Sequence, residues 1–316
     1  MRRQRDIEFN TLEVLVATAE SGTLSGAAKQ LGVSQSAVSQ TLKQLEDATQ
    51  TPLLVRRSKP VRLTPAGEIL LDYAHHVLSA TTTVLNQLSQ QRQGVLSRLN
   101  LGMIDSFADT FGVQLISQVR ASVDRVSIRT GLNTSLTQAF YARQLDVLIT
   151  ADPMDSQFQL NKTPLLRDPF VLVAPSTYDA LSVSELAAEL PFIHYSPESL
   201  IGGQTDVIAH RLKLSPQIQY ELDSTTSLLQ FVEAGFGWAI LSALCLAGYS
   251  ASRNGLVVKP LDDGKHARTI HAVSRLNEFT ELLTPIHMAT QKRRQAILQG
   301  ELGQQAPWLS EQMRPL

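Results

Sequence analysis

The run Gly22-Thr-Leu-Ser-Gly-Ala-Ala-Lys-Gln-Leu-Gly-Val-Ser-Gln-Ser-Ala-Val-Ser-Gln-Thr-Leu-Lys-Gln-Leu-Glu46 contains two helix stops and two helix starts. Gly22 supplies the left-handed residue that ends a preceding helix, about Asn10 to Ser21, whose Leu12, Leu15, Val16 and Ala19 fall at helical spacing. Thr23 is an N-cap for a short helix, Leu24 to Leu31, with Leu24, Ala27, Ala28 and Leu31 on its inner face; the small alanines permit close approach of a crossing helix. Gly32 and Val33 make a turn, and Ser34 caps a third helix reaching about Ala48.

The third helix carries two stripes. Val38, Leu42 and Leu45 recur at i, i+4 and i+7, while Ser36, Ser39, Gln40 and Lys43 recur two residues out of step. At roughly 100° per residue that offset puts the stripes on nearly opposite faces, one for a core and one polar and hydrogen-bonding. Acidic residues are absent from the polar stripe and enter only at Glu46 and Asp47, so this face can approach phosphates without repulsion. Pro52-Leu-Leu-Val-Arg-Arg57 and Val61-Arg-Leu63 flank a basic tip of Arg56, Arg57 and Lys59, the pattern of a β-hairpin wing. Thr64-Pro65 then opens a helix whose next breaker is Gly94. Leu70, Tyr73, Val77, Val84 and Leu88, with Ala74 and Leu85 beside them, keep one apolar side along this long helix, which is expected to pair with a copy of itself.

From Leu99 the texture changes. Apolar runs at Leu99 to Ile104, Val126 to Thr130 and Val147 to Thr150 alternate with helical stretches near Phe111 to Ala121 and Ser135 to Arg143, which predicts parallel strands with crossover helices. A second block brings Phe170 to Ala174, a capping box at Ser182 to Glu185, Phe192 to Tyr195, Ile218 to Leu222, a helix near Ser227 to Ala234, and Trp238 to Leu241. Ile270 to Ser274 reads as one more strand and Glu278 to about Leu298 as one more helix; Gly300 to Leu316 reads as a loosely held tail.

Composition narrows the function classes. At 316 residues the chain has room for two or three domains, each with its own core. The single cysteine, Cys245, rules out an intrachain disulfide and a multi-cysteine zinc cage. The net charge of −1 hides an asymmetry: residues 1 to 64 hold nine Lys and Arg against six Asp and Glu, so the excess positive charge sits at the N-terminal end. No secretory signal or bilayer-length apolar run is visible, and a cytoplasmic location is expected. His75 and His76 are adjacent on a helix and point apart, which argues against a metal pair, and no metal or cofactor is expected. Gly235-Phe-Gly237 lacks the third glycine and the following helix of a dinucleotide loop. No nucleophile elbow, zinc-protease motif or phosphate loop occurs, so no catalytic residue is expected and the chain is read as not an enzyme.

The quoted string, with Pro52 to Arg57 and Leu63-Thr-Pro-Ala-Gly67, closely resembles the N-terminal domain of LysR-type transcriptional regulators. Weaker landmarks of that family's effector domain follow at Gln144 to Thr150, Asp168-Pro-Phe-Val-Leu-Val-Ala174 and Val232 to Leu241. The resemblance implies an α+β multi-domain chain: a winged helix-turn-helix over 1–64, a linker helix over 65–94, and a two-lobed α/β effector-binding domain over 95–302 resembling periplasmic solute-binding proteins. Lobe one is expected at 95–166 plus 268–302, lobe two at 167–267, and a tail at 303–316.

A helix-turn-helix reads DNA with the start of its second helix in the major groove. Gln35 and Gln40 match adenine edges, Ser36 and Ser39 bond bases or phosphates, and Lys43 suits a guanine or a phosphate. Thr23 and Ser34 at the helix starts complete the expected DNA-contacting set with wing residues Arg56, Arg57 and Lys59, which supply backbone charge rather than sequence reading. The family commonly has proline where Ser36 stands and arginine where Gln40 stands. For the effector, strand-end residues Ser106, Thr150, Ser199 and Thr225 are the candidates, each with the alternative of being merely a helix cap. Asp105 is unusual beside an anion site: it either favours an amine-bearing or neutral effector or caps a helix and faces away. Expected partners are double-stranded DNA, a small-molecule effector and further copies of the chain, as a homodimer through the linker helix and a homotetramer, with RNA polymerase a further candidate. A solute-binding protein, a two-lobed enzyme and a purely architectural DNA-binding protein are the rival readings.

Overall fold

The computed structural model describes residues 7–55, 58, 60–93, 95–152, 154, 159–197, 199–214, 216–249 and 255–316. They form two compact units, one built on residues before 94 and the other on residues 95–141 and 145–316.

Among its described residues the first unit has four helices: α1 (Phe9–Ser21), α2 (Leu24–Leu31), α3 (Gln35–Thr49) and α4 (Pro65–Gln93). Each of the first two ends on a left-handed glycine, Gly22 (φ 64°) and Gly32 (φ 69°). Thr23 Oγ1 accepts the Gly26 N–H at 3.0 Å, and Ser34 Oγ accepts the Ala37 N–H at 3.1 Å, each cap worth about 1 kcal/mol. Leu12, Leu15, Ala27, Ala28, Val38, Leu42, Leu45 and Leu53 form the buried centre, with Leu70 and Leu71 of α4 packed against it.

Between α3 and α4 the chain makes one antiparallel bridge, Leu54 to Leu63, with the Val55 N–H donating to the Arg62 carbonyl at 2.8 Å. Two details fasten it. The Glu46 carboxylate accepts the Leu53 and Leu54 N–H groups at 2.7 and 3.2 Å. Thr64 Oγ1 donates to the Pro52 carbonyl at 2.7 Å and accepts the Gly67 N–H at 3.1 Å. At Gly67 a side chain is impossible: a Cβ there would stand 2.1 Å from the Leu53 carbonyl oxygen.

Among its described residues the second unit has nine strands. Strands β1 (Leu99–Ile104), β2 (Val126–Gly131) and β3 (Val147–Thr150) are parallel, with α5 (Asp105–Val119) and α6 (Asn133–Tyr141) as crossovers. β4 (Leu160–Pro175) then runs out of this lobe, and its second half pairs antiparallel with β7 (Ala239–Ser242) and β8 (Leu256–Pro260). Between these lie α7 (Val183–Glu189), β5 (Phe192–Tyr195), α8 (Leu200–Arg211), β6 (Ile218–Leu222), α9 (Thr225–Glu233) and α10 (Ala243–Gly248), with β5 and β6 parallel. β9 (Ala267–Arg275) returns antiparallel to the first half of β4 and pairs with β3. The sheet order β2-β1-β3-β9-β4-β7 therefore makes β4 common to two lobes, and the two crossing strands are antiparallel because the chain goes out on one and back on the other.

The expectation of a loose tail is overturned. After α11 (Thr280–Gln299), the chain forms α12 (Glu301–Gln305) and α13 (Leu309–Gln312), burying Leu302, Ala306, Leu309 and Met313 in the core of this unit. Arg167 Nη1 donates to the Gln312 carbonyl at 3.0 Å, Arg294 Nη1 to the Met313 carbonyl at 3.0 Å, and Leu166 makes an antiparallel bridge to Pro315. Apolar residues at every third or fourth position, Leu302, Ala306, Leu309 and Met313, tie down what its place at the end of the chain suggested was loose.

Candidate functional site

The first candidate surface is one face of α3. Its inner stripe, Val38, Leu42 and Leu45, is 0 to 3% exposed. Ser34, Gln35, Ser36, Ser39, Gln40 and Lys43 are all exposed, as is Thr23 at the start of α2. Ser34 and Ser36 hydroxyls bond each other at 2.9 Å, so the cap residue and the first turn are mutually oriented. Glu46, which the sequence places near this face, is turned onto the wing amides, which removes a repelling charge from the polar stripe. Arg56, Arg57 and Lys59 lie outside the described residues.

The second is a small cavity of about 60 Å³ between the two lobes of the effector domain. Four helix starts reach it: Ile104 to Ser106 at α5, Leu132 and Asn133 at α6, Ser199 to Ile201 at α8, and Asp223 with Thr225 at α9. Helix N-termini present unpaired N–H groups and a partial positive charge, the elements of an anion site. Ser199 is at once cavity wall and N-cap, accepting the Gly202 N–H at 3.0 Å. Thr225 pairs its hydroxyl with that of Tyr195 at 2.9 Å. Thr150 is fully buried and does not line the cavity: its hydroxyl donates to Asn133 Oδ1 at 2.6 Å and accepts the Asp152 N–H at 2.9 Å, so it orients Asn133 instead. Asp105 is the first residue of α5 and not its cap, a position held by Ile104; it is exposed and lines the cavity.

Sequence reasoning missed Arg268. Its side chain is 4% exposed, with Nε donating to Asp168 Oδ2 at 2.8 Å and Nη2 donating to Ser106 Oγ and Ser242 Oγ, each at 2.9 Å. The other Asp168 oxygen accepts the Leu244 N–H at 3.0 Å. Arg268 therefore joins the first lobe, through Ser106, to the second, through Ser242. Burial opposes its charge, but Asp168, with Cys245 and Tyr195, together outweigh this, and the guanidinium is held above its ordinary pKa. Tyr195, also missed, is pushed well above the usual phenol range, mainly by burial and by nearby Cys245, so it stays a neutral hydroxyl. The signal was a charge at the mouth of each of two apolar runs, Asp168 before Phe170 to Ala174 and Arg268 before Ile270 to Ser274, of opposite sign.

Among the described residues no group of three or more His, Cys, Asp and Glu side chains is placed to hold a metal, and no helix is long and apolar enough to cross a membrane.

Comparison with known proteins agrees with this arrangement. Residues 9–68 match the model of the bacterial regulatory helix-turn-helix protein, lysR family, and residues 92–283 that of the LysR substrate binding domain. The transcriptional regulator MetR of Salmonella typhimurium is 31% identical over 278 residues, covering 84% of each chain. BudR of Raoultella terrigena is 28% identical, covering 76% of this chain and 87% of its own. In fold, a full-length OxyR variant from Pseudomonas aeruginosa superposes with a TM-score of 0.70 at 22% identity, over 90% of this chain and 98% of that one. Full-length CbnR, solved with its target DNA, gives 0.64 at 17%, over 91% and 100%. A helix-turn-helix with its polar face outward, joined to a two-lobed domain with a polar cavity between its lobes, thus meets both family models in order: the chain belongs to the LysR family of bacterial DNA-binding transcriptional regulators.

Proposed function

We propose that α3 is the recognition helix, with Gln35, Ser36, Ser39, Gln40 and Lys43 facing the major groove and Thr23 and Ser34 against the phosphates at the helix starts. The observation that carries this reading is the exposure of every one of these side chains on a helix whose opposite stripe is buried. Arg56, Arg57 and Lys59 are assigned to phosphate contacts alongside.

The same reading assigns α4 to self-pairing. Ile69, Tyr73, Val77, Val84 and Leu85 are 45 to 64% exposed along this 29-residue helix, an apolar stripe of the kind that a second copy covers. Leu70, on its other side, packs against the core of the first unit, and Ala74 is buried. Two paired units would place two recognition helices on successive half-sites, and a second self-contact in the effector domain would make a tetramer. The working location is the cytoplasm, where the DNA is, and no catalytic step is assigned.

The effector is assigned to the cavity at Ser106, Ser199 and Thr225, with Arg268 and Tyr195 added and Thr150 acting through Asn133. Helix starts and Arg268 favour an anionic group; Asp105 and Asp223 at the wall favour a second, cationic or hydrogen-donating group on the same molecule. A cavity of about 60 Å³ holds only a few heavy atoms, so a metabolite enters when the lobes part, and its binding biases the equilibrium between lobe arrangements.

The test is binding of the purified protein to genomic fragments across a salt series, comparing DNA upstream of its own gene with random duplex. Selective, salt-sensitive binding with a footprint of at least two helical turns is expected; absence of selectivity with a metabolite pool present refutes the proposal.

A further inference from the structure

A larger pocket of about 520 Å³ opens on the other side of the α8 N-terminus, sharing only Ser199 and Leu200 with the inter-lobe cavity. Thr134 closes it from the first lobe, α8 from the second, and Lys265 to Ala267 from the chain entering β9. Its volume falls within the range of small-molecule sites. Its lining is divided by chemistry. Phe170, Val207 and Ile208 form an apolar part, and Arg211, Lys265 and His266 bring three basic side chains to one side.

Two buried polar atoms of this lining have no hydrogen-bond partner: Nε2 of His266, a residue 8% exposed, and Oε1 of Gln204. Buried polar groups are almost always satisfied, by protein or by ordered water, and an unsatisfied one costs about 1–3 kcal/mol, so these two atoms call for a partner that the chain itself does not supply. The nearby acid is Asp262, which pairs with Lys265 at 3.0 Å and stands 4.0 Å from His266 Nε2, beyond hydrogen-bond reach. No carboxylate is among the residues that line the pocket; Asp262 and Asp263 lie beside Lys265, so the charge offered to an anion there is chiefly that of Arg211.

We propose that this pocket is a second ligand site, separate from the inter-lobe cavity, that takes a small monocarboxylate with an apolar body. The carboxylate lies against Arg211 and His266, the body against Phe170 and Val207, and Gln204 turns its amide to match. Because Thr134, α8 and the β9 entry all line the pocket, the occupant touches both lobes and the strand that joins them. It therefore has a physical route to the lobe equilibrium without entering the effector cavity. His266 is held below its ordinary pKa by burial, with Arg211 and Lys265 adding and Asp262 opposing, so a bound carboxylate has a neutral imidazole to recharge.

The experiment uses full-length protein, calorimetry and side-chain NMR of His266, with phenylacetate, hexanoate and the neutral phenylacetamide as probes. Saturable binding of a carboxylate is expected, with the amide weaker by about tenfold or more and the imidazole pKa rising in the complex. Arg211 is exposed and does not line the inter-lobe cavity, so Arg211→Gln tests charge at this pocket with little risk to folding; it should weaken the carboxylate about tenfold or more, while Lys213→Gln, an exposed basic residue nearby that lines neither cavity, should leave it unchanged. Failure of both carboxylates to bind, equal binding of the amide, indifference to Arg211→Gln, or an equal loss on Lys213→Gln would each overturn the proposal.

Discussion

Asp168 and Arg268 stand directly opposite one another in the antiparallel ladder of β4 and β9, with Oδ2 and Nε 2.8 Å apart, where the chain leaves one lobe and re-enters it. Their separation in sequence is 100 residues, yet they share one buried point, and Ser106, Ser242 and the Leu244 amide complete their hydrogen bonding.

Removing one partner leaves the other charge buried. Asp168→Ala is expected to cost about 3–5 kcal/mol in urea unfolding, because Arg268 cannot be rehydrated in place. The double change Asp168→Leu with Arg268→Met should recover most of that loss while abolishing the response to effector. A single mutant as stable as the parent would show that the pair is not the clamp described.

Gln40→Ala and Arg57→Ala should part company on DNA. The first is expected to relax preference at one base pair by about 1–3 kcal/mol, since a bidentate amide contact to a base edge is lost. The second should weaken specific and random duplex alike and reduce the salt slope by about one. Titrations of both variants across base-substituted sites check this; indistinguishable behaviour defeats the assignment.

Tyr73→Asp introduces a charge into the exposed apolar stripe of α4, where Tyr73 is 64% exposed in the single chain. Sedimentation should move toward the monomer, and DNA affinity should fall because half-sites are no longer bound together. Circular dichroism should be nearly unchanged, as the residue makes no part of the buried core.

The C-terminal segment is structural, and Leu309→Ala should cost about 2–5 kcal/mol as a large-to-small change at a fully buried position. Truncation after Gly300 should do more, exposing the faces that Leu302, Ala306, Leu309 and Met313 cover. Unfolding midpoints decide it: a truncated protein of parental stability would restore the reading of a loose tail.

What the sequence made legible was local. Caps at Thr23, Ser34 and Ser182, stops at Gly22 and Gly32, and the buried stripe of α3 each depend on neighbours a few residues away. α8 escaped notice because Gly202-Gly203 argues against a helix; yet a Cβ at Gly202 would meet the Ser196 carbonyl oxygen at 2.3 Å, so close packing requires the glycine. The first half of β4 has no clean alternation, since its partners are β9 and the C-terminal residues rather than a core on one face. Thr150 stood at the right strand end, but a hydroxyl's direction is set by its neighbours, here Asn133 and Asp152. Arg268 was hidden for the same reason that it matters: its partners, Ser106, Asp168 and Ser242, arrive from three other parts of the chain.

The missing side chain at Gly67 has a consequence for distance measurement along DNA. Because α4 lies hard against the Leu53 carbonyl, and Thr64 spans from the helix start to Pro52, the wing and the first turns of α4 move as one piece. Glu46 extends that piece to the end of α3. If α3 reads DNA and α4 pairs two copies, as proposed, the described residues leave no slack joint between them, and the crossing angle of two α4 helices would work as a caliper: opening it by a few degrees would displace both reading heads together, so that operators would be selected by the interval between half-sites as well as by their bases.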